Sequence, residues 1–274
     1  MLASRLRKVA QKVRHAPFLE HLDPLWNYVR PVYEDALTVL SAGRGVAVTI
    51  AGCAIRLNPC FAGAAWETME RESYERFAST VQPGDMVYDV GASIGTYSLI
   101  ALQKSAPDGR VIAYEPVELT RKNLIDHLQW NNASDRAVVR PVCCGRENGE
   151  APLYFREGEM IGHSGLAPIR DAQIELVQVR SLDTEVADLG FVPTIVKIDV
   201  EGWEFDVLKG AENTLARYRP TIFLSLHPTV LAQYQTTPQV VRSWLEERGY
   251  NLELIATDHE IHIVARSREG AASF

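Results

Sequence analysis

Short apolar runs alternate with segments of helical periodicity along most of the chain. The apolar runs predict β-strands at residues 86–90, 111–114, 138–142, 195–198 and 222–226. The intervening segments predict helices at residues 96–103, 116–130, 205–215 and 239–247, with Pro116 at a first helical position, where its missing N–H costs nothing. Strands and helices that alternate in this way form a mostly parallel sheet with helices on both faces. The pattern therefore predicts a doubly wound α/β fold.

Three parts of the chain, one near each end and one in the middle, depart from this alternation. Residues 46–50 and 53–57 predict a hairpin that turns at Ala51 and Gly52, and residues 66–81 predict a helix. Residues 151–155 and 176–179 predict two shorter strands around an irregular segment at 158–170. Residues 252–255 and 261–265 predict an antiparallel pair at one sheet edge. We therefore expect a small N-terminal helical and hairpin extension over residues 1–65 and one α/β domain over residues 66–274.

The composition is that of an ordinary globular protein. The 274 residues are 46% hydrophobic and carry a formal net charge of −7, which argues against a general affinity for nucleic acid, because phosphates attract Lys and Arg. No apolar run approaches the length that crosses a bilayer, so we expect no transmembrane segment and a cytoplasmic location. The four cysteines form no C-x-x-C pair, which favours reduced thiols over a zinc site or a disulfide framework.

The N-terminal segment differs in charge from the rest of the chain. Residues 1–16 contain no acid, and their apolar positions recur at helical spacing, which predicts an amphipathic helix. Its basic side chains are Arg5, Arg7, Lys8, Lys12 and Arg14. We expect this helix to pack on its own domain or on a partner chain, such as a second copy in a homo-oligomer. Contact with an anionic membrane surface is the less favoured alternative.

A glycine-containing loop, D-V-G-A-S-I-G-T from Asp89 to Thr96, joins a predicted strand to a helix. Three ligand-binding interpretations compete. The dinucleotide fingerprint G-x-G-x-x-G needs a glycine where Ser93 stands. A nucleophile elbow, G-x-S-x-G, fits Gly91, Ser93 and Gly95, but no upstream oxyanion loop is present. The third is the S-adenosylmethionine loop, E/D-x-G-x-x-x-G, whose backbone amides receive the methionine end. On this loop alone, a plain turn without any ligand also stays open.

Glu115 makes a nucleoside ligand more specific. It directly follows the second strand of the alternating pattern, twenty positions after Gly95. In α/β nucleoside-binding proteins, an acid at this point accepts hydrogen bonds from the ribose hydroxyls. A carboxylate there disfavours the 2′-phosphate of NADP, whereas NAD and S-adenosylmethionine both remain compatible with it.

A longer motif points to a family. Residues 197–211 read K-I-D-V-E-G-W-E-F-D-V-L-K-G-A, which strongly resembles the hallmark of the FkbM family of methyltransferases. The D-V-G-A and I-G-T-Y-S segments and the Y-E-P at residues 114–116 are also similar to that family, and the likeness covers roughly residues 66–265. Two positions depart from the pattern: Ser93 stands where Asn is common, and C-C-G-R at residues 143–146 replaces the usual A-[LV]-[SG]. The resemblance implies a seven-stranded Rossmann-like sheet, S-adenosylmethionine as methyl donor and O-methylation of sugars, polyketides or related metabolites.

The predicted binding residues lie where predicted strands end. Ligands of open α/β sheets bind beyond the carboxyl ends of the strands. Gly91, Glu115, Asp199 and His227 each follow directly on such an end, so we expect them at one edge of the sheet. We predict the cofactor-binding set to be Asp89, Gly91, Ala92, Ser93, Gly95, Thr96, Glu115 and Asp199.

The predicted catalytic residues are His227, Asp199 and Glu201. A hydroxyl is a poor nucleophile, so a base that takes its proton should accelerate the transfer, and an imidazole titrates nearest to neutral pH. Asp199 and Glu201 are expected to orient His227 and the acceptor, or to favour the positive sulfonium. His163, in an irregular segment, is a weaker candidate. Asp199, Glu201 and His227 together would also suit magnesium, but we expect no metal.

These observations predict an S-adenosylmethionine-dependent O-methyltransferase that acts on a small-molecule or glycan acceptor. Two alternatives belong to other classes. An NAD-dependent oxidoreductase would need the missing middle glycine of the loop. A non-catalytic binding or scaffold domain would have no need to keep the loop, Glu115 and the Asp199–Glu201 pair together.

Overall fold

The computed structural model of the protein describes residues 23–61, 63–66, 68–155, 165–166 and 172–268, and for residues 23–30 it describes the backbone alone. The predicted helix at residues 1–16 and the candidate His163 lie outside the described residues. Within the described part, no helix combines the length and apolar character that crossing a membrane requires.

Strands and helices alternate as the sequence predicts. The strands are β1 (Val46–Ile50), β2 (Cys53–Leu57), β3 (Met86–Val90), β4 (Arg110–Tyr114), β5 (Ala137–Arg140), β6 (Cys143–Cys144), β7 (Gly149–Phe155), β8 (Gln173–Arg180), β9 (Ile195–Ile198), β10 (Thr221–Leu226), β11 (Tyr250–Thr257) and β12 (Ile261–Ser267). The α-helices are α1 (Asp23–Leu40), α2 (Arg71–Thr80), α3 (Thr96–Lys104), α4 (Glu118–Trp130), α5 (Leu182–Leu189), α6 (Glu204–Lys209), α7 (Glu212–Tyr218), α8 (Pro228–Leu231) and α9 (Pro238–Glu247).

The central sheet has seven strands in the order β11-β12-β10-β9-β3-β4-β5. Strands β3, β4, β5, β9 and β10 pair in parallel, whereas β12 runs antiparallel to both of its neighbours, β10 and β11. Neighbouring side chains of a strand point to opposite faces. Accordingly Val87 belongs to one apolar core and Tyr88 to another, and both are fully buried. The predicted doubly wound α/β fold with an antiparallel closing pair is confirmed.

The strand register brings four chain segments to one edge. Val90 of β3 pairs with Tyr114 of β4 and with Ile198 of β9, so these three strands end at the same level. Strand β10 pairs Leu224 with Ile198 and continues to Leu226. The loops that carry Gly91, Glu115, Asp199 and His227 therefore leave the sheet side by side, as the sequence predicts.

Three helix predictions need correction. Helix α2 begins at Arg71, since Glu70 at its N-cap adopts the left-handed conformation, with φ of 45°. Pro116 lies outside helix α4, which begins at Glu118. The predicted helix at 205–215 is two helices, α6 and α7, because the backbone of Ala211 between them leaves the helical conformation, with φ of −114° and ψ of 10°. At the neighbouring Gly210, a Cβ would lie 1.9 Å from the Gly145 carbonyl oxygen.

Two strand predictions are also incomplete. The strand predicted at 138–142 ends at Arg140 in β5, and a separate short strand, β6, follows. Strands β7 and β8 do not join the central sheet; with β6 they form a three-stranded sheet in the order β6-β8-β7. This small sheet flanks the carboxyl edge of the central sheet, because β6 follows directly on β5.

The N-terminal hairpin of β1 and β2 packs on the α/β domain. Ile55 and Leu57 share an apolar core with Leu99 and Ile100 of α3. His127 of α4 fixes the end of β2: its Nε2 accepts the Asn58 backbone N–H at 2.8 Å, and its Nδ1 lies 2.8 Å from the Ile94 carbonyl oxygen. The hairpin is thereby tied to the glycine loop that precedes α3.

Candidate active site

A cavity of about 770 Å³ opens at the carboxyl edge of the central sheet. Its volume lies in the range of small-molecule sites. Among the predicted site residues, those that line it are Gly91, Ala92, Ser93, Thr96, Glu115, Asp199, Glu201 and His227. The lining does not include Asp89 or Gly95. The structure thus gathers the predicted catalytic set and most of the predicted cofactor set around one space.

The glycine loop packs tightly on its neighbours. The backbone amides of Gly91 and Ala92 donate to the Tyr114 carbonyl oxygen at 3.1 and 2.9 Å. Gly91 has φ of 79°, and Gly95, at the N-cap of α3, has φ of 90°. A Cβ on Gly95 would lie 2.3 Å from the Leu124 side chain. Both positions therefore need glycine for packing as well as for backbone conformation.

Asp89 holds the loop from beneath the cavity. It is 1% exposed, and the Ser98 hydroxyl donates to its Oδ2 at 2.5 Å. Burial raises the pKa of this carboxyl to about 6. Its contact with Ser98 joins strand β3 to helix α3, and its side chain does not line the cavity. Its position indicates support of the loop, and Gly95 has the same role at the start of α3.

Glu115 presents a buried carboxylate to the cavity. Its Oε2 accepts the Ser93 N–H and its Oε1 accepts the Val117 N–H, both at 2.9 Å. Burial raises the pKa of Glu115 to about 7, and the two backbone hydrogen bonds work against that rise. A carboxylate oxygen accepts more than one hydrogen bond, so both oxygens retain capacity for hydroxyl donors of a ligand. The side chain thus offers acceptor capacity to a ligand in the cavity.

His227, which follows β10 on the other side of β9 and β3 from Glu115, is surrounded by carboxylates. Its Nδ1 lies 2.7 Å from Glu204 Oε1. Its Nε2 lies 3.2 Å from Glu260 Oε1, 3.4 Å from Glu201 Oε2 and 3.7 Å from Asp199 Oδ1. We refer to Asp199, Glu201, Glu204, His227 and Glu260 as the His227 cluster.

The charges of this cluster determine the protonation of His227. Burial lowers the pKa of the imidazole, but the contacts with Glu204 and Glu260 and the charge of Asp199 outweigh burial and raise the pKa to about 11. The ring of the ligand-free protein is therefore protonated at neutral pH. A general base must be unprotonated to take up a proton, so this environment opposes the role predicted for His227.

Lys197 neutralises one oxygen of the cluster. This lysine is 1% exposed, and its Nζ donates to Asp199 Oδ2 at 2.9 Å and to Ser225 Oγ at 2.7 Å. Burial raises the pKa of Asp199, but the charges of Lys197 and His227 outweigh burial and hold it below its usual range. Lys197 and Asp199 lie two positions apart along one chain, on the same side of the backbone, which brings them into contact.

Sequence reasoning missed four residues of this region. Lys197 and Glu204 lie within the quoted K-I-D-V-E-G-W-E motif, so their spacing was the available signal. Glu70 and Glu260 line the cavity from the start of α2 and from the turn between β11 and β12. Burial raises the pKa of Glu70 to about 7, and its Oε2 accepts the Tyr97 hydroxyl at 3.2 Å.

Three cavity residues other than glycine have backbone conformations that L-amino acids rarely adopt. Glu70, Ser93 and Glu201 have φ of 45°, 50° and 51°. All three line the cavity. Such strain persists where the surrounding structure enforces it, and it concentrates at functional sites. Five further residues of this conformation lie elsewhere in the described part of the chain, so the strain accompanies the cavity without being confined to it.

A seven-stranded sheet with one antiparallel strand, a glycine loop after β3 and an acid after β4 define a Rossmann-like methyltransferase architecture. The sequence model of the Methyltransferase FkbM domain matches residues 89–252. The chain belongs to the FkbM methyltransferase family. This membership confirms that the protein is a methyltransferase and that S-adenosylmethionine is its cofactor.

Two relatives and one solved structure are similar to this chain. The hexuronic acid methyltransferase AglP of Haloferax volcanii is 26% identical over 202 residues, which cover 73% of this chain and 77% of AglP. The methyltransferase sdnD of Sordaria araneosa is 31% identical over 137 residues, 49% of this chain and 48% of that protein. The crystal structure of the methyltransferase FkbM from Methylobacillus flagellatus is 19% identical, with a TM-score of 0.46 over 70% of this chain and 50% of that one.

Proposed function

We propose that the protein transfers a methyl group from S-adenosylmethionine to a hydroxyl oxygen of a small molecule or glycan, such as a sugar, a polyketide or a related metabolite. The observation that carries this proposal is the layout of the cavity. Glu115 follows β4 and His227 follows β10, three strand positions away in the sheet. With about 4.8 Å between neighbouring strands, these side chains belong to positions roughly 14 Å apart. A nucleoside end and a reaction end thus fit into one cavity.

The cofactor end is formed by the glycine loop and Glu115. We propose that Gly91, Ala92, Ser93 and Thr96 surround the methionine portion and that Glu115 accepts the ribose hydroxyls. When bound, S-adenosylmethionine supplies a methyl group on a positively charged sulfonium. Asp199 lies between the two ends of the cavity, since β9 lies next to β3, and its carboxylate favours that positive charge. Asp89 and Gly95 hold the loop in place from outside the cavity.

The reaction end is formed by Asp199, Glu201 and His227. A hydroxyl must lose its proton as the new oxygen–carbon bond forms, so an acceptor oxygen needs groups that receive or displace that proton. Carboxylates supply hydrogen-bond acceptors for the hydroxyl. His227, the base predicted from the sequence, takes part in its neutral form, which requires another positive charge to offset the carboxylates that stabilise the protonated ring. The reaction end thus offers the proton-accepting groups that a hydroxyl acceptor requires.

The acceptor class is supported by one relative. AglP is named for the methylation of hexuronic acid, and its similarity extends over most of both chains. We therefore propose sugars, including uronic acids, as the first acceptors to test. The acidic balance of the chain, with a net charge of −7, does not favour nucleic acid as an acceptor.

The experiment that tests this function has two measurements. Calorimetry should show binding of S-adenosylmethionine or S-adenosylhomocysteine and no comparable binding of NAD. Mass spectrometry after incubation with S-adenosylmethionine and a panel of sugars should show an acceptor that gains one methylene on oxygen. A product methylated on nitrogen or carbon would contradict O-methylation and leave the methyltransferase class intact. Binding of NAD in preference to S-adenosylmethionine would contradict the whole proposal.

A further inference from the structure

The reaction end of the cavity contains a set of metal-binding atoms. Asp199, His227 and Glu260 each offer one oxygen or nitrogen atom, and these three atoms lie within 4.8 Å of one another. They come from the end of β9, the end of β10 and the turn between β11 and β12, so three separate segments of the chain converge on one point. Glu201 Oε2, 3.4 Å from His227 Nε2, adds a fourth donor beside them.

One of these side chains directs into this space an atom that makes no hydrogen bond with any described residue, Nε2 of His227. A second unpartnered atom is Oε2 of Glu260, which lies 3.8 Å from His262 Nε2, whereas Glu260 Oε1 faces His227. His227 is 6% exposed and Glu260 is 7% exposed, so solvent does not replace the missing partners. Three carboxylate oxygens surround His227 Nε2 at 3.2 to 3.7 Å, but none of them forms a hydrogen bond with it. A buried polar atom without a partner is costly, and a bound ion removes that cost.

The other nitrogen of His227 is already fixed. Nδ1 lies 2.7 Å from Glu204 Oε1, and Glu204 is fully buried. The same Glu204 oxygen accepts the Gly202 backbone N–H at 2.8 Å, which holds the carboxylate in position. Histidines that bind metals usually donate their second ring N–H to a carboxylate or carbonyl, which sets the tautomer and directs the free nitrogen at the ion. Glu204 provides this support and leaves Nε2 as the ligand atom.

The charges around this point are unbalanced. Four carboxylates, those of Asp199, Glu201, Glu204 and Glu260, lie within contact distance of one imidazole. Lys197 contributes one fixed positive charge, and it binds the Asp199 oxygen Oδ2. The other Asp199 oxygen, Oδ1, is the one that faces His227. Buried charges are normally paired or bound to metals. Lys197 and a protonated His227 supply two positive charges against four carboxylates, and His259 Nε2 lies 3.0 Å from Glu260 Oε1.

We propose that Asp199, His227 and Glu260 bind a divalent cation of the magnesium and manganese class. Carboxylate oxygens are the ligands these hard cations prefer, and one imidazole is compatible with manganese. Three protein ligands leave positions of an octahedral ion open to water and to the acceptor hydroxyl. This proposal replaces the expectation of a metal-free site and assigns Nε2 of His227 to metal binding.

The cation would take part in the proposed methyl transfer, and this part of the inference rests on that function. A hydroxyl bound to a divalent cation loses its proton more readily, because the ion stabilises the alkoxide. The proton passes to the Glu201 carboxylate, the oxygen–carbon bond forms, and the sulfur–carbon bond breaks to leave a neutral thioether. No step then requires His227 to accept a proton.

The test uses the full chain, freed of metal with a chelator, and Mn²⁺ as the probe. Titration followed by electron paramagnetic resonance should show one Mn²⁺ bound per chain, with a nitrogen hyperfine coupling from His227. His227→Gln and Glu260→Gln should each weaken Mn²⁺ binding by tenfold or more, and His227→Gln should also remove the nitrogen coupling. Glu204→Gln should weaken binding by about 10–100-fold, the usual effect of losing a supporting carboxylate. Glu246→Gln, an exposed carboxylate of α9, is the matched control and should bind Mn²⁺ like wild type.

The same samples are titrated with S-adenosylmethionine by calorimetry, without metal. Cofactor binding without stoichiometric Mn²⁺ binding would overturn the metal site and leave the methyltransferase function standing. Mn²⁺ binding without cofactor binding would support the metal site and contradict the methyltransferase function. Unchanged Mn²⁺ affinity in both ligand variants would place the ion elsewhere and overturn the proposal, as would selective binding of zinc with none of Mg²⁺ or Mn²⁺. A rise in melting temperature with Mn²⁺ in wild type, absent from a folded variant, separates loss of binding from loss of folding.

Discussion

The backbone of Gly91 lies directly against the Asp199 carbonyl oxygen, so that a Cβ on Gly91 would be 1.7 Å from it. This contact joins the glycine loop after β3 to the K-I-D-V-E-G motif after β9. The cofactor end and the reaction end of the cavity therefore share one wall, and a change at either residue moves both.

Gly91→Ala should lower both stability and cofactor affinity. The variant combines a φ of 79° with a clash against backbone, which should cost roughly 3 kcal/mol or more in the free energy of unfolding. Gly52→Ala is the matched control, because Gly52 has φ of 75° but no atom within 4 Å of the added Cβ. It should cost about 1–2 kcal/mol, the conformational term alone, with unchanged cofactor affinity. Urea unfolding and calorimetry measure both quantities, and equal losses in the two variants would contradict the close contact.

Glu115→Ala should weaken S-adenosylmethionine binding by about 1–3 kcal/mol, the cost of leaving polar partners unpaired. The side chain is buried and accepts two backbone N–H groups, so Glu115→Gln, which keeps the shape, helps to separate ribose contact from loop support. Glu118→Gln, another acid that lines the cavity, serves as the control and should bind nearly as wild type. Unchanged affinity in Glu115→Ala would remove Glu115 from the cofactor site.

Ser93→Ala should retain substantial methyl transfer. The Ser93 backbone N–H donates to Glu115, so the contribution of this residue is made by its main chain. A nucleophile elbow would instead lose all activity in this variant, and serine-directed phosphonates would label the wild-type protein. A covalent adduct on Ser93 would refute the methyltransferase interpretation.

His227→Gln should lower turnover by roughly 10²–10⁴-fold, whether the ring acts as a base or as a ligand. The two roles differ in what restores activity. A lost base is partly replaced at high pH, where more of the acceptor is ionised, whereas a lost ligand is partly replaced by a higher Mn²⁺ concentration. Because four carboxylates surround the ring, we expect rescue by Mn²⁺. Rescue by pH alone would return His227 to the role of general base.

His127 should make stability depend on pH between about 6.5 and 4. Burial lowers the pKa of His127 to about 4, below its ordinary value in the unfolded chain. In this window the unfolded state binds a proton that the folded state does not, so stability falls as pH falls. The loss should approach roughly 3 kcal/mol at pH 4, since each pKa unit corresponds to about 1.4 kcal/mol. Thermal unfolding of wild type and His127→Gln should converge as the pH is lowered; parallel curves would exclude His127 as the cause.

The sequence by itself determined the architecture and the edge at which the site lies. Apolar runs and helical periodicity are local properties of the chain, and the carboxyl ends of parallel strands meet wherever the strands pair. Gly91, Glu115, Asp199 and His227 were therefore predictable, each from its position at the end of a strand. The K-I-D-V-E-G-W-E motif supplied the family in the same way, because its residues are contiguous.

Only the tertiary structure decided which of these side chains reach the cavity and what their charges are. Asp89 ends beneath the loop because its side chain alternates to the face where Ser98 lies, and Gly95 contacts Leu124 instead of the cavity. Glu260 reaches His227 from a turn 33 positions further along the chain, so no local pattern connects them. The protonation of His227 depends on the summed field of carboxylates from several elements, and that sum exists only once the chain has folded.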